Sequence, residues 1–344
     1  MRQLLNTLFI TTPSAYLRLE GDTVVVEIER EKKLQVPLHH LGSVVTFGDV
    51  LLSPALMHRC ADDGRSLALL DRNGRFKARL EGPVNGNVLL RQAQHAAAGD
   101  AARTLALARA IVAGKLRNSR QVLLRGAREA QADADRESLR QAARLLAGHL
   151  RRLPFAVDLD TVRGLEGDAA RVYFGALPQV IRADQRVAFG FERRSRRPPL
   201  DRFNALISFL YTILTHDCAS AAEGVGLDPQ LGFLHVVRPG RPALALDLVE
   251  EFRSLLADRL ALTLINRGQL AESDFEPRVG GAVYLSSAGR RTVITAYQQR
   301  KQEEIRHPLL EQPVPIGLLP HLQARLLARS LRGEMNGYLP YLHR

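Results

Sequence analysis

The hydrophobic period of this chain changes once, near residue 82, and that change decides what it can fold into. Before it, Val24, Val26 and Ile28 alternate with Glu27 and Glu29, and Leu34, Val36 and Leu38 repeat the period of two. Successive side chains of a strand point to opposite faces, so this pattern predicts half-buried strands. Asp71-Arg72-Asn73-Gly74 separates Leu67–Leu70 from Phe76–Leu80 and predicts a hairpin, because Asn-Gly tolerates the positive φ of a tight turn. One short helix is expected over about 54–61, and residues 82–87 read as a linker. From Val88 onward the period is helical, over about 88–97, 100–113, 119–147, 158–177, 200–223, 243–267, 288–305 and 317–333, with one small hairpin around 279–286. The expected class is α+β: a small β-rich N-terminal domain over 1–81, then a large, mainly α-helical C-terminal domain over 88–344.

Charge divides along the same boundary. The 344 residues carry a net +12, but residues 1–81 hold eleven cations and ten anions, which leaves +11 to residues 82–344. The helical region is therefore the one expected to meet a polyanion, nucleic acid or an acidic membrane surface, with the strands as scaffold or dimerisation module. Of the 48 cations 43 are Arg and 5 Lys, a skew that codon bias can produce and that is not evidence of phosphate reading alone. No apolar run reaches the roughly 18 residues of a membrane span; the nearest, Asn204–Thr215, is broken by Ser208. Met1–Leu5 faintly imitates a signal peptide, but Asn6 interrupts it. Cys60 and Cys218 stand alone, which argues against a disulfide framework or zinc site and for the cytoplasm. Arg193-Arg194-Ser195-Arg196-Arg197 reads as a mobile basic loop, either touching phosphates or simply solvated.

Three acidic or imidazole features resist the bland reading. At 100° per residue, Glu166 falls amid Leu159, Val162, Ala169, Ala170 and Tyr173, the apolar face of its helix. A carboxylate there needs a partner: an arginine, a metal or a proton. Along 243–267, Asp247, Glu250, Glu251 and Asp258 crowd into one sector of roughly 100°, which fits either a solvated acidic face or a cation held there. His235 leaves an apolar run just before Arg238-Pro239-Gly240-Arg241-Pro242, a turn that can return the imidazole over Asp247 and Glu250; a hydrogen-bonded core histidine is the alternative. Oxygen ligands from two helices plus one imidazole suit Mg²⁺ or Mn²⁺ completed by substrate phosphate. In a basic protein such a site serves phosphodiester chemistry.

The sequence resembles the CRISPR-associated integrase, the metal-dependent subunit of the spacer-acquisition complex. Four stretches carry the likeness: Arg163–Ala170 with Tyr173-Phe174, Arg197–Leu206, Gly226–His235 and Asp247–Arg253. The resemblance implies that Glu166, His235 and Glu250 are catalytic metal ligands, with Asp247 a nearby acidic contributor and the Asn204 motif a site-shaping element. It implies that a prespacer 3′-hydroxyl attacks a phosphodiester at the repeat boundary, inserting DNA into a CRISPR array with Mg²⁺ or Mn²⁺ as cofactor. The implied partners are double-stranded and partly single-stranded DNA, a second copy of the chain, and a small companion acquisition nuclease completing a heterohexamer, with no membrane. Arg193, Arg194, Arg196, Arg197, Arg300 and Lys301 are the expected phosphate contacts. The rivals are a stand-alone metal-dependent DNase or junction resolvase, and a non-enzymatic architectural DNA-binding protein.

Overall fold

The structure, a computed structural model, describes residues 6–72, 76–80, 82 and 88–343. The hairpin residues Asn73 and Gly74, the linker residues 83–87 and the N-terminal Met1–Leu5 lie outside the described residues. The N-terminal region holds β1 (Asn6–Ile10), β2 (Tyr16–Glu20), β3 (Thr23–Ile28), β4 (Glu31–Pro37), β5 (Leu41–Phe47), β6 (Leu51–Leu52), α1 (Pro54–Asp62), β7 (Ser66–Leu70) and β8 (Phe76–Leu80). These form two four-stranded sheets, ordered β4-β3-β2-β6 and β1-β5-β7-β8. The second sheet pairs β1, β5 and β7 in parallel, with β8 antiparallel at its edge.

The period of two decides where this sheet sends its side chains. Val44 and Leu67 point into a small core with Leu17, Val24, Val26, Leu56 and Cys60. Their neighbours Val45, Phe47, Ala68 and Leu70 point the other way and join the large helical core. Burying both faces accounts for its unbroken apolar runs, such as Leu67–Leu70. Phe47 meets Phe209 across this junction with ring centroids 5.8 Å apart.

The helical region comprises α2 (Val88–Gly99), α3 (Ala101–Glu129), α4 (Asp133–Arg152), α5 (Leu159–Ala176), α6 (Arg186–Phe189), α7 (Arg202–Gly224), α8 (Ala243–Phe252), α9 (Arg259–Asn266), α10 (Ser287–Gln302) and α11 (Leu319–Leu331). The side chains of Asp100, Asp158 and Asp201 cap α3, α5 and α7 by accepting from first-turn amides. Two antiparallel hairpins interrupt the helices: β9 (Phe275–Pro277) with β10 (Val283–Leu285), and β11 (Glu304–Arg306) with β12 (Pro313–Pro315). The first is the hairpin expected near 279–286. The second, with strands of three residues each, was not foreseen, and α10 ends before it at Gln302.

Three expectations are corrected. The break expected between helices over 100–113 and 119–147 lies elsewhere: α3 runs through Gly114, Asn118 and Ser119 to Glu129, and the rest of the second expected helix belongs to α4. Those residues look like punctuation but serve packing. A Cβ on Gly114 would lie 2.7 Å from Pro340 Cβ, and Asn118 Nδ2 donates to the Glu251 and Tyr341 carbonyls. The single helix over 243–267 is instead α8 and α9 joined by a π-helical turn over Arg253–Asp258. Finally, α7, at 23 residues and mean hydropathy 1.2, is long and apolar enough to cross a membrane. Here it is a core helix, packed among α8, α11 and the π turn.

Candidate functional site

The site forms where α3, α5, α8 and the segment before α8 meet. Its anchor is Asp247, a fully buried carboxylate on the second turn of α8. Its Oδ2 accepts from the backbone N–H of Phe233 at 2.6 Å and of Leu234 at 3.0 Å, and its Oδ1 from that of His235 at 3.0 Å. The chain can lie this close because residue 232 is glycine: a Cβ there would sit 2.6 Å from the Ala243 carbonyl carbon and 2.8 Å from Asp247 Oδ2. The same segment is held from behind by the buried Gln94 of α2, which donates to the Asp228 and Leu231 carbonyls and accepts from Asp228 N–H. Arg163 of α5 donates to the Leu234 carbonyl at 2.9 Å and fastens α5 to it.

This clamp decides the chemistry of His235. Its Nδ1 lies 2.7 Å from Asp247 Oδ1, so the proton sits on Nδ1 and the Nε2 lone pair faces outward. Nε2 is 3.7 Å from Glu250 Oε1. Glu250 is 2% exposed. Burial alone would raise its pKa, but the charges of Arg253 and Lys115 beside it win, and it is held well below the usual carboxylate range. Arg253 Nη1 lies 3.0 Å from Glu250 Oε1, and Lys115 Nζ lies 2.8 Å from Oε2. The same ammonium makes an ion pair and hydrogen bond with Glu166 Oε1.

The structure thus brings Glu166, His235 and Glu250 together, with Asp247 behind the imidazole. Glu166 is less enclosed than its place among Val162, Leu165, Ala169 and Tyr173 suggests, its side chain being 26% exposed. The charge between the acids belongs to Lys115, which the sequence reading did not single out, and not to an arginine. As the side chains stand, among the described residues no three His, Cys, Asp or Glu groups are arranged to hold an ion. The donor set nevertheless fits Mg²⁺ or Mn²⁺. Two carboxylates from separate helices and an imidazole with a fixed tautomer converge, and the buried Glu250 Oε2 accepts no aligned hydrogen bond although the ammonium stands beside it.

The four acids along 243–267 do not share one cation. Asp247 serves the His235 segment. Glu251 faces away and accepts from Tyr338 hydroxyl, Gln323 Nε2 and Tyr341 N–H, with burial pushing its pKa up to about 7. Asp258, the last residue of the π turn, accepts from Tyr173 and Tyr211 hydroxyls at 3.0 and 2.6 Å, and burial raises it to about 6. π turns recur at functional sites; this one sets Arg253 across Glu250 and over the Tyr211 ring, 4.8 Å from its centroid.

The expected basic contacts divide. Arg193, Arg196 and Arg197 are exposed. Arg194 is not a free phosphate contact: it donates to Asn204 Oδ1 at 2.7 Å and Ser208 Oγ at 3.0 Å and lies 5.4 Å from the Tyr211 centroid. The loop is tied rather than mobile, because the buried Asn204 also accepts from Ser195 N–H and donates to the Arg193 carbonyl. Lys301 is buried and paired with Asp217 at 3.0 Å, and Arg300 is paired with Glu303. Burial takes Lys301 out of reach of a phosphate.

With this geometry in hand, comparison with known proteins is specific. The family description "CRISPR associated protein Cas1" matches residues 8–299. The chain is 58% identical over 344 residues, the whole of both sequences, to CRISPR-associated endonuclease Cas1 1 of Moorella thermoacetica. Among solved structures it matches a chain of a Cas6-RT-Cas1–Cas2 complex with TM-score 0.84 and 23% identity, covering 99% of this chain and 37% of that one. It matches a casposase bound to integration product with TM-score 0.83 and 19% identity, covering 99% and 95%. At such identities the likeness to these structures is one of fold.

Proposed function

The chain belongs to the CRISPR-associated Cas1 family, and we propose that it is a metal-dependent integrase and endonuclease that joins prespacer DNA to a CRISPR array. The observation that carries this reading is that Glu166 and Glu250, from separate helices, share one ammonium, with His235 Nε2 3.7 Å from Glu250 Oε1 and Asp247 behind the imidazole. Glu166, His235 and Glu250 would hold Mg²⁺ or Mn²⁺, which when bound supplies Lewis-acid stabilisation of charge on the attacking and leaving oxygens.

The protein's own groups have distinct tasks. Asp247 keeps the Nδ1 proton in place, so that Nε2 stays a lone-pair donor. Arg253, on Glu250 and over Tyr211, fixes the carboxylate edge and adds positive charge where the scissile phosphate arrives. The exposed Arg193, Arg196 and Arg197 provide a cationic approach for the DNA backbone. The 3′-hydroxyl oxygen attacks phosphorus, one P–O bond forms as another breaks, and the displaced strand leaves with a new 3′-hydroxyl. With water as nucleophile, the same groups give hydrolysis.

The named complexes among the structural relatives support DNA as substrate and a small companion nuclease as partner. The reading includes a homodimer within a heterohexamer, working in the cytoplasm. An architectural DNA-binding role leaves the clamped histidine and the buried Glu250 unexplained. The test is product analysis with a nicked or branched target. Wild type should give strand-transfer products in Mn²⁺ or Mg²⁺, and Glu166→Ala and His235→Ala should bind DNA without joining it. Fragments alone would make the protein a nuclease; joining by either variant would remove that residue from the site.

A further inference from the structure

Lys115 stands where the acids converge. Its ammonium pairs with Glu166 Oε1 and with Glu250 Oε2, which belong to different helices, and its side chain is 11% exposed. Without it, two carboxylates would face each other across a largely water-poor gap, and Glu250, 2% exposed, could not be screened by solvent. A divalent ion held by the same two carboxylates needs the space the ammonium fills. Like charges about 3–4 Å apart repel by several kcal/mol at the effective dielectric of a protein site. The two cations therefore exclude one another.

We propose that Lys115 is a resident counter-cation that holds Glu166 and Glu250 together before metal arrives and that the divalent ion must displace. This rests on the metal-dependent reading above. The structure also offers the displaced ammonium a place to go. A cavity of about 20 Å³ is lined by Lys115 itself with Tyr173, Tyr211, Ser254, Asp258 and Arg253, whose guanidinium charge is taken up by Glu250 and the Tyr211 ring, among apolar side chains. Its volume suits one water-sized group. Ser254 Oγ is buried there with no hydrogen-bond partner, and each Asp258 oxygen receives a single tyrosine hydroxyl. The residue type matters too. In a chain with 43 arginines and five lysines, this position carries the compact ammonium on a flexible stem. A planar guanidinium fork would be too large to withdraw into such a cavity.

The experiment is Mn²⁺ binding to the DNA-free full chain by calorimetry, alongside thermal unfolding with and without Mn²⁺. Lys115→Met should bind Mn²⁺ at least tenfold more tightly than wild type. Its metal-free form should melt at a lower temperature, with the deficit shrinking at saturating Mn²⁺. Lys115→Arg should bind Mn²⁺ more weakly than wild type. Unchanged or weaker affinity in Lys115→Met overturns the proposal while leaving the metal reading intact, whereas no binding to any form overturns both. Should Lys115→Met fail to fold, ¹³Cε lysine spectra of wild type decide. The resonance absent from Lys115→Arg must shift as Mg²⁺ saturates the site, and a stationary resonance overturns displacement.

Discussion

Replacing Asp247 by asparagine removes one charge and almost no volume, and the structure predicts two separate losses. The amide can keep its oxygen toward Phe233 and Leu234 N–H, which places its NH₂ against His235. There the two contacts made by Oδ1, at 3.0 Å to His235 N–H and 2.7 Å to Nδ1, lose their acceptor. Hydrogen bonds to a charged group contribute about 1.5–3 kcal/mol each, and the accepting carboxylate is fully buried, so solvent does not reach it to replace them. Destabilisation of about 3–5 kcal/mol is expected, read from the urea midpoint. The second loss is chemical. An NH₂ facing Nδ1 makes that nitrogen the acceptor and moves the proton to Nε2, which then offers no lone pair. Misorienting a ligand through its supporting partner typically costs about 10–100-fold in metal affinity, measurable by Mn²⁺ calorimetry. Mn²⁺ affinity within threefold of wild type, with an unchanged midpoint, would refute the clamp as the basis of the site.

Three further outcomes follow from the same geometry. Glu166→Gln should change stability by less than about 1 kcal/mol, because Lys115 keeps its ion pair with Glu250 and the amide oxygen can still accept from the ammonium; strand joining should fall by at least 100-fold, and equal losses in both assays would contradict a chemical role. His216 is buried and its pKa is lowered to about 4, first by desolvation, then by Arg79 and Lys301 against the pull of Asp217. Its contribution is full above the unfolded value near 6.5 and is lost as pH falls toward 4, so His216→Gln should flatten the stability profile between those values by roughly 3 kcal/mol relative to wild type; parallel profiles would contradict a neutral buried imidazole. Replacing Arg196 and Arg197 together by alanine should reduce the slope of log K against log salt for DNA by about 2; an unchanged slope would remove that loop from the DNA path.

Much of this was legible in the chain, and the exceptions share a cause. Alternation in Val24–Ile28 and the shift to helical spacing after the linker report burial periodicity, which is local. The His235 turn was also readable, because Pro239-Gly240 and the apolar run fix where the segment reverses. What stayed hidden depends on distant partners. Gly114 and Asn118 looked like breaks because the residues they pack against, Pro340 and Tyr341, lie more than 220 positions away. The acidic sector dissolved because a π turn rotated Asp258 away, while Glu251, still on α8, accepts from Tyr341 N–H of the C-terminal segment, leaving Glu250 and Asp247 toward the site. Lys115 carried one faint signal, a lysine between the buried Val112 and Leu116 in an arginine-dominated chain. Composition alone had no means of singling it out.

The proposed reaction is metal-dependent transfer of a DNA 3′-hydroxyl to a phosphodiester. It is tested most directly by giving the wild-type protein matched DNA ends carrying a 3′-hydroxyl or a 3′-deoxy terminus, each with Mn²⁺ or with chelator. Joined product is expected only from the hydroxyl end and only with the ion present. Joined product from the deoxy end, or undiminished joining in chelator, would contradict it.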